Sequence, residues 1–253
     1  GWNPLIKALI IRRFWLLKNR LVITAPIIIL TPIAFHVFLS SVITNIYSFS
    51  PNGVPIESWL LPGVIFSFGS LTMLAILYRD LFNPQSNLQF LKLLSISPNS
   101  KFKIILGILS SSLVECLSYS IVSTLVLLIF MPEPFSFLGF LSILFYLIFY
   151  LSLFGNFIIT LSIFVQRGFT FLFLSFIFLQ LLFVSSNILF EQQIYSEIMN
   201  IVFFNNPFNM LLYDLRYFIF FSELSFTWVA ISLVLTLIWI FINSLFLKRK
   251  LKQ

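Results

Sequence analysis

The chain has little charge and almost none of the side chains that carry out covalent or metal chemistry. Only 9% of its 253 residues are charged, and it holds one histidine and one cysteine. A soluble domain carries about 25% charged residues. His36 alone cannot build a multi-histidine metal site, and Cys116 alone can form no intrachain disulfide and no metal centre. There is no G-x-x-x-x-G-K-[ST] phosphate loop, no H-E-x-x-H, no CxxC and no Ser–His–Asp set. These absences exclude the enzyme classes that those motifs mark, and exclude ATP binding through a phosphate loop. The chain is therefore expected to be no enzyme and to bind no cofactor itself.

What is present is apolar. Hydrophobic residues make up 60% of the chain, 34 of them are phenylalanine, and the mean hydropathy is +1.06. A soluble protein of this length cannot bury that much apolar surface, so the chain is an all-α membrane protein. Its richness in Phe, Ile, Leu, Ser and Asn fits an AT-rich genome. The net charge of +7 invites a nucleic-acid partner, but the bases lie at the edges of apolar runs, where membrane topology requires them.

Six runs are long enough to cross the bilayer, at about 22–43, 59–78, 104–131, 136–165, 169–190 and 226–247. Those at 104–131 and 136–165 exceed the required length and must tilt, kink or protrude. Pro26 and Pro32 each remove a backbone donor from the first span. Fourteen of the fifteen Lys and Arg residues precede the first span, follow the last, or lie between spans two and three or four and five. The opposite side holds Arg216 with Glu57, Glu133, Glu191, Glu197, Asp214 and Glu223. The positive-inside rule then places both termini in the cytoplasm or its equivalent. No cleavable leader is expected, because the first strong apolar run follows a long basic segment and continues past leader length. The chain divides into a segment at 1–21, a six-span bundle at 22–247 and a basic tail at 248–253.

The segment "NPLIKALIIRRFWLLKNR" is apolar but interrupted by five bases. It is expected to lie along the inner surface as an interfacial helix, as a lipid anchor or as a contact for a cytoplasmic partner. The loop "RDLFNPQSNLQFLKLLSISPNSKFK" holds a short apolar piece between Asn83-Pro84 and Ser97-Pro98. Its leucines form a stripe on a two-turn helix that would rest on the bilayer or enter a groove on another protein. On the outer side, "IYSEIMNIVFFNNPFNMLLYDLRYFIFF" is too apolar for a loop in water. It is expected to form short re-entrant helices, the second starting at Asn206-Pro207. Asp214 and Arg216 point to different helix faces and are poor mutual partners. Either each snorkels to the interface, or they frame an outer gate or pair across a dimer interface.

Glu115 is the one acid deep in a span. Ser111, Ser112, Glu115, Ser118, Tyr119 and Ser123 share one helical face, which is expected to point into the bundle. That face is either a polar translocation surface or gate, or a hydrogen-bonded staple between helices. No Lys, Arg or His is expected at its depth. His36 is expected to be a packed or interfacial residue.

Three strings, in this order, resemble the permease subunit of ABC-2 type exporters. "LLPGVIFSFGSLTMLAILYRD" (60–80) is similar to the family's second span. "LQFLKLLSISPNSKFKIILGILSSSL" (88–113) is similar to its coupling stretch, with Leu93, Leu94, Ser97, Pro98 and Gly107 on matching positions. "NNPFNMLLYDLR" (205–216) is similar to the stretch before its last span, matched at Asn206, Pro207, Asp214 and Arg216. The residues "NPQSN" stand where the family usually has an acidic residue and "GT".

The resemblance implies an interfacial connecting helix at 1–21 and outer re-entrant helices at 191–220. It implies a coupling helix at about 83–98, with Leu88, Leu91, Lys92 and Leu94 contacting a separate ATPase subunit that binds the ATP and Mg. Two permease copies, a homodimer, would enclose the path, with Glu115, Tyr119, Asn206, Asp214 and Arg216 in the path or its gate. The exported compound would be a lipid, polysaccharide or hydrophobic drug, and the membrane a bacterial inner membrane or a plastid membrane. Two alternatives stand beside it: a non-transporting membrane scaffold or assembly factor of the same fold, and a proton-coupled carrier using Glu115.

Overall fold

The computed structural model describes residues 4–46, 48–50, 52–82, 98–129, 136–188, 196–203 and 205–250. The expected coupling helix, with Leu88, Leu91, Lys92 and Leu94, lies outside the described residues. Among them are eight helices: α1 (Pro4–Ile43), α2 (Ile56–Phe82), α3 (Lys101–Ile129), α4 (Phe137–Phe164), α5 (Gly168–Ser185), α6 (Glu197–Phe203), α7 (Pro207–Phe221) and α8 (Thr227–Lys250). Six of them, all but α6 and α7, are long and apolar enough to cross a membrane. Extended structure among the described residues is one isolated bridge, Phe49 with Pro55, closed by a turn at Gly53.

The spans follow from the apolar runs, because in lipid a helix satisfies its backbone within the segment. The 22–43 span differs in its start. No break separates it from the preceding basic segment, and α1 is one helix of 40 residues, about 60 Å long. It exceeds the roughly 30 Å apolar layer twofold, so it tilts steeply or extends beyond that layer. Pro26 and Pro32 both lie inside this continuous helix.

α2 is the central helix. Its most apolar window is 83% buried, against 17% for α1. α1, α3, α4, α5 and α7 all pack on it. α1 and α3 run side by side in the same direction: Leu9 packs at Gly107, and Ser123 Oγ donates to the Ile28 carbonyl at 3.0 Å. Lipid tails are as apolar as the helix surfaces, so close packing and interhelical hydrogen bonds hold such a bundle. α4 and α8 are joined that way. Asn243 Nδ2 donates to the Asn156 carbonyl at 3.2 Å, Thr160 Oγ1 donates to Asn243 Oδ1 at 2.7 Å, and Trp239 Nε1 donates to Thr160 Oγ1 at 2.9 Å.

α7 has the start expected of it. Asn206 is its N-cap, accepting from the Asn209 backbone N–H at 2.9 Å, and Pro207 occupies the first turn. Asn206 Nδ2 also donates to the Ser185 carbonyl at 2.9 Å. One side chain thus fixes α7 to the end of α5.

Candidate functional site

Two buried polar sites lie near opposite ends of α2. Trp59 belongs to one and Arg79 to the other, about 30 Å apart along the helix.

The first site joins α1, α2 and α3. Arg13 Nη1 donates to Glu115 Oε2 at 2.7 Å, and Arg13 Nη2 donates to Asp80 Oδ2 and, at 2.8 Å, to Ser112 Oγ. Arg79 holds both oxygens of Glu115, Nη1 to Oε1 at 3.0 Å and Nη2 to Oε2 at 2.8 Å. Its Nε donates to Asp80 Oδ1 at 3.3 Å. Tyr119 donates its hydroxyl to Glu115 Oε1 at 2.9 Å. The Arg13, Asp80 and Glu115 side chains are almost wholly buried, while Arg79 is 21% exposed. Two guanidiniums balance two carboxylates, and that balance is what allows four charges to leave water together.

The structure brings together Glu115 and Tyr119, as expected, and turns their face inward: Ser111, Ser112, Glu115, Tyr119 and Ser123 are buried and Ser118 is partly so. It corrects the expectation that no cation reaches Glu115. Arg13 and Arg79, read from the sequence as topology signals, are its ion-pair partners. Asp80 enters the sequence reading only as the acidic end of the 60–80 string, with no role assigned to it. The available signal was an Arg-Asp pair in the last turn of a span, where it has no reason to be apolar-facing.

A groove of about 340 Å³ between α1 and α2 reaches this cluster, bordered by Arg79, Glu115 and Tyr119 at one end.

The second site centres on Arg216, which is 1% exposed. Its Nε donates to the Trp59 carbonyl at 3.1 Å, its Nη1 to the Asn187 carbonyl, and its Nη2 to the Ile188 carbonyl at 3.0 Å. Its guanidinium carbon lies 4.6 Å from the centroid of the Trp59 ring, a cation–π distance. One arginine of α7 therefore ties together the start of α2 and the end of α5. Asn187 adopts φ 51°, a left-handed conformation that Asn tolerates better than most residues. Gly63 makes room: a Cβ there would lie 2.6 Å from the Ile188 oxygen and 3.0 Å from Arg216 Nη2.

This corrects the snorkelling expectation for Arg216, whose side chain turns inward because three backbone carbonyls await it. Asp214, two residues earlier and on a different face of α7, is 7% exposed and its Oδ2 has no hydrogen-bond partner. Burial pushes its carboxyl up to about 6. The five residues expected to share a path or gate thus fall into two groups, Glu115 and Tyr119 in the first site, Asn206, Asp214 and Arg216 around the second. His36 is buried, with Nδ1 unpartnered, and Cys116 is a buried free thiol whose Sγ lies 3.2 Å from the Gly69 carbonyl oxygen.

Among the described residues no cluster of His, Cys, Asp and Glu could hold a metal ion. No protein-family model, curated protein or solved structure matches the chain. The fold and the two sites define a polytopic helical membrane protein.

Proposed function

We propose that the chain is the permease subunit of an ABC-2 type exporter, which forms the path as a homodimer and takes its energy from a separate ATPase subunit. The observation that carries this reading is the contact between Gly63 and Arg216. Gly63 belongs to the "LLPG" string and Arg216 to the "NNPFNMLLYDLR" string. These were matched to the family separately, over 150 residues apart in the chain, and they meet in space around one guanidinium. Their meeting supports reading the two strings as parts of one site.

The first site supplies a route for coupling. Arg79 and Asp80 lie in the last turns of α2, directly before the 83–98 segment that would dock on the ATPase. A displacement of that segment pulls on two side chains whose ion pairs end on α1 and α3. Leu88, Leu91, Lys92 and Leu94 would make the ATPase contact, and the second site would brace the outer end while the basic end moves. A lipid, polysaccharide or hydrophobic drug would then cross between the two copies.

The proton-carrier alternative fares worse. Glu115 accepts four hydrogen bonds, three of them from guanidiniums, and a carboxylate so occupied has no free face for a travelling proton.

The test is reconstitution of the chain with its co-expressed ATPase in lipid discs. Replacing Leu91 and Leu94 by Asp should abolish stimulation of ATP hydrolysis by the permease while leaving the fold intact. Full stimulation by that variant would remove the coupling-helix assignment.

A further inference from the structure

α2 is buried along nearly its whole length, and just two of its residues are exposed, Leu71 and Ala75. They are one turn apart and both line the groove against α1. The groove's volume of about 340 Å³ falls in the range of small-molecule sites, about 300–1,000 Å³. Along α1 it is bordered by Leu16, Arg20, Thr24, Ile27 and Thr31, a stripe at helical spacing.

Its polarity is one-sided. Thr24 gives its hydroxyl to the Arg20 carbonyl at 2.8 Å, and Thr72 gives its own to the Phe68 carbonyl at 2.7 Å. Both hydroxyls are thus satisfied within their own helices, and the groove's lining is mainly apolar. The charge gathers at one end, where Arg20 and Arg79 stand. Arg13, Arg79, Asp80 and Glu115 cancel one another. Arg20 is exposed, and no ion pair among the described residues includes it. Arg79 engages three of its five N–H groups with Glu115 and Asp80, which leaves two for a ligand. The groove thus has one uncompensated positive end with strong anion donors, continued by an apolar channel open to the side.

The geometry points to a site for an anionic lipid, its acidic headgroup at Arg20 and Arg79 and an acyl chain along Ile27, Leu71 and Ala75. Such a lipid belongs to the leaflet at the basic end of the bundle, and its head and tail match the groove in order and in charge. A zwitterionic lipid has the same tail but brings its own cation to Arg20. A second copy of the chain over the groove is the competing occupant, and the test separates the two. The inference does not depend on the exporter reading, since a bound lipid is detectable without ATP or an ATPase subunit.

The test uses the full chain in phosphatidylcholine discs containing a small fraction of phosphatidylglycerol with a photoreactive acyl chain, against photoreactive phosphatidylcholine with the same chain. Adducts are mapped by mass spectrometry. Phosphatidylglycerol should label the α1 and α2 peptides around Ile27, Leu71 and Ala75 well above phosphatidylcholine. R20Q, at an exposed position, should lower that labelling about fivefold and leave labelling of α8 unchanged. A75W should block it by filling the channel while preserving Arg20. Equal labelling by the two lipids, or no response to R20Q, would overturn the proposal. So would spontaneous disulfide cross-linking of A75C between copies, which would put a second chain over the groove.

Discussion

The Cα of Gly63 and the guanidinium of Arg216 meet so closely that a methyl group on position 63 would lie 3.0 Å from Arg216 Nη2. The same methyl would lie 2.6 Å from the Ile188 carbonyl oxygen, a backbone atom that cannot swing aside. Gly63→Ala must therefore push the end of α5 or the guanidinium out of place. The expected loss is about 2–4 kcal/mol, the cost of one or two buried charge-assisted hydrogen bonds. Gly69→Ala is the control, because its new methyl would meet a flexible leucine end at 3.3 Å and should cost far less. Thermal unfolding of both variants in detergent checks the difference.

Arg216→Lys should not restore the second site. Lysine presents a single point of charge, whereas the guanidinium reaches the carbonyls of Trp59, Asn187 and Ile188 at once. Arg216→Lys and Arg216→Ala are expected to lower the melting temperature by similar amounts while membrane insertion stays normal. A lysine variant as stable as the parent would show that charge alone holds the site.

The ion cluster of α1, α2 and α3 should respond non-additively. Arg13→Met alone leaves Asp80 and Glu115 buried with less compensation, and a broken buried pair costs about 3–5 kcal/mol. Arg13→Met combined with Asp80→Leu restores the balance of charge. The double variant should therefore lose less stability than the two single variants summed, and often less than either alone. Additive losses would mean that the four groups act independently.

Asp214 gives a pH signature. Its carboxyl is raised from 3.8 to about 6 by burial, so the folded chain holds the proton more tightly than the unfolded one. The stability linked to this group is complete below about pH 4 and is lost as pH rises through about 6. Asp214→Asn should flatten the melting temperature between pH 4 and 7 and raise it at neutral pH relative to the parent. A parent whose melting temperature does not fall across that window would contradict the burial of a charged Asp214.

Much of the fold is legible in the sequence. Apolar runs located the six crossing helices to within a few residues at most ends, because lipid demands length and apolarity of every span alike. The start of α7 at Asn206-Pro207 was legible for a local reason, a cap and a proline that act on their own neighbours. The inward face of α3 was legible from the spacing of Ser112, Glu115 and Tyr119. The partners of that face were not. Arg13 lies 102 residues from Glu115 and 67 from Asp80, and a single sequence does not say which helices are neighbours. Arg13 and Arg79 also looked sufficient as topology signals, so nothing in the pattern asked for a second role. Arg216 misled for the opposite reason. Its ligands are backbone carbonyls, which every residue carries and no sequence marks. The α4–α8 contact through Asn156, Thr160, Trp239 and Asn243 has a local signal, polar residues one turn apart within each of two apolar runs, but nothing in the sequence pairs those runs.

The proposed activity is the movement of a substrate with energy supplied by another subunit. It is tested most directly by purifying the chain in gentle detergent from its native membrane and identifying what accompanies it by mass spectrometry. The account predicts a stoichiometric subunit with a phosphate loop and ATPase activity, lost when Leu91 and Leu94 are changed to Asp. A chain that purifies without any ATPase, from membranes where it is natively expressed, would contradict it.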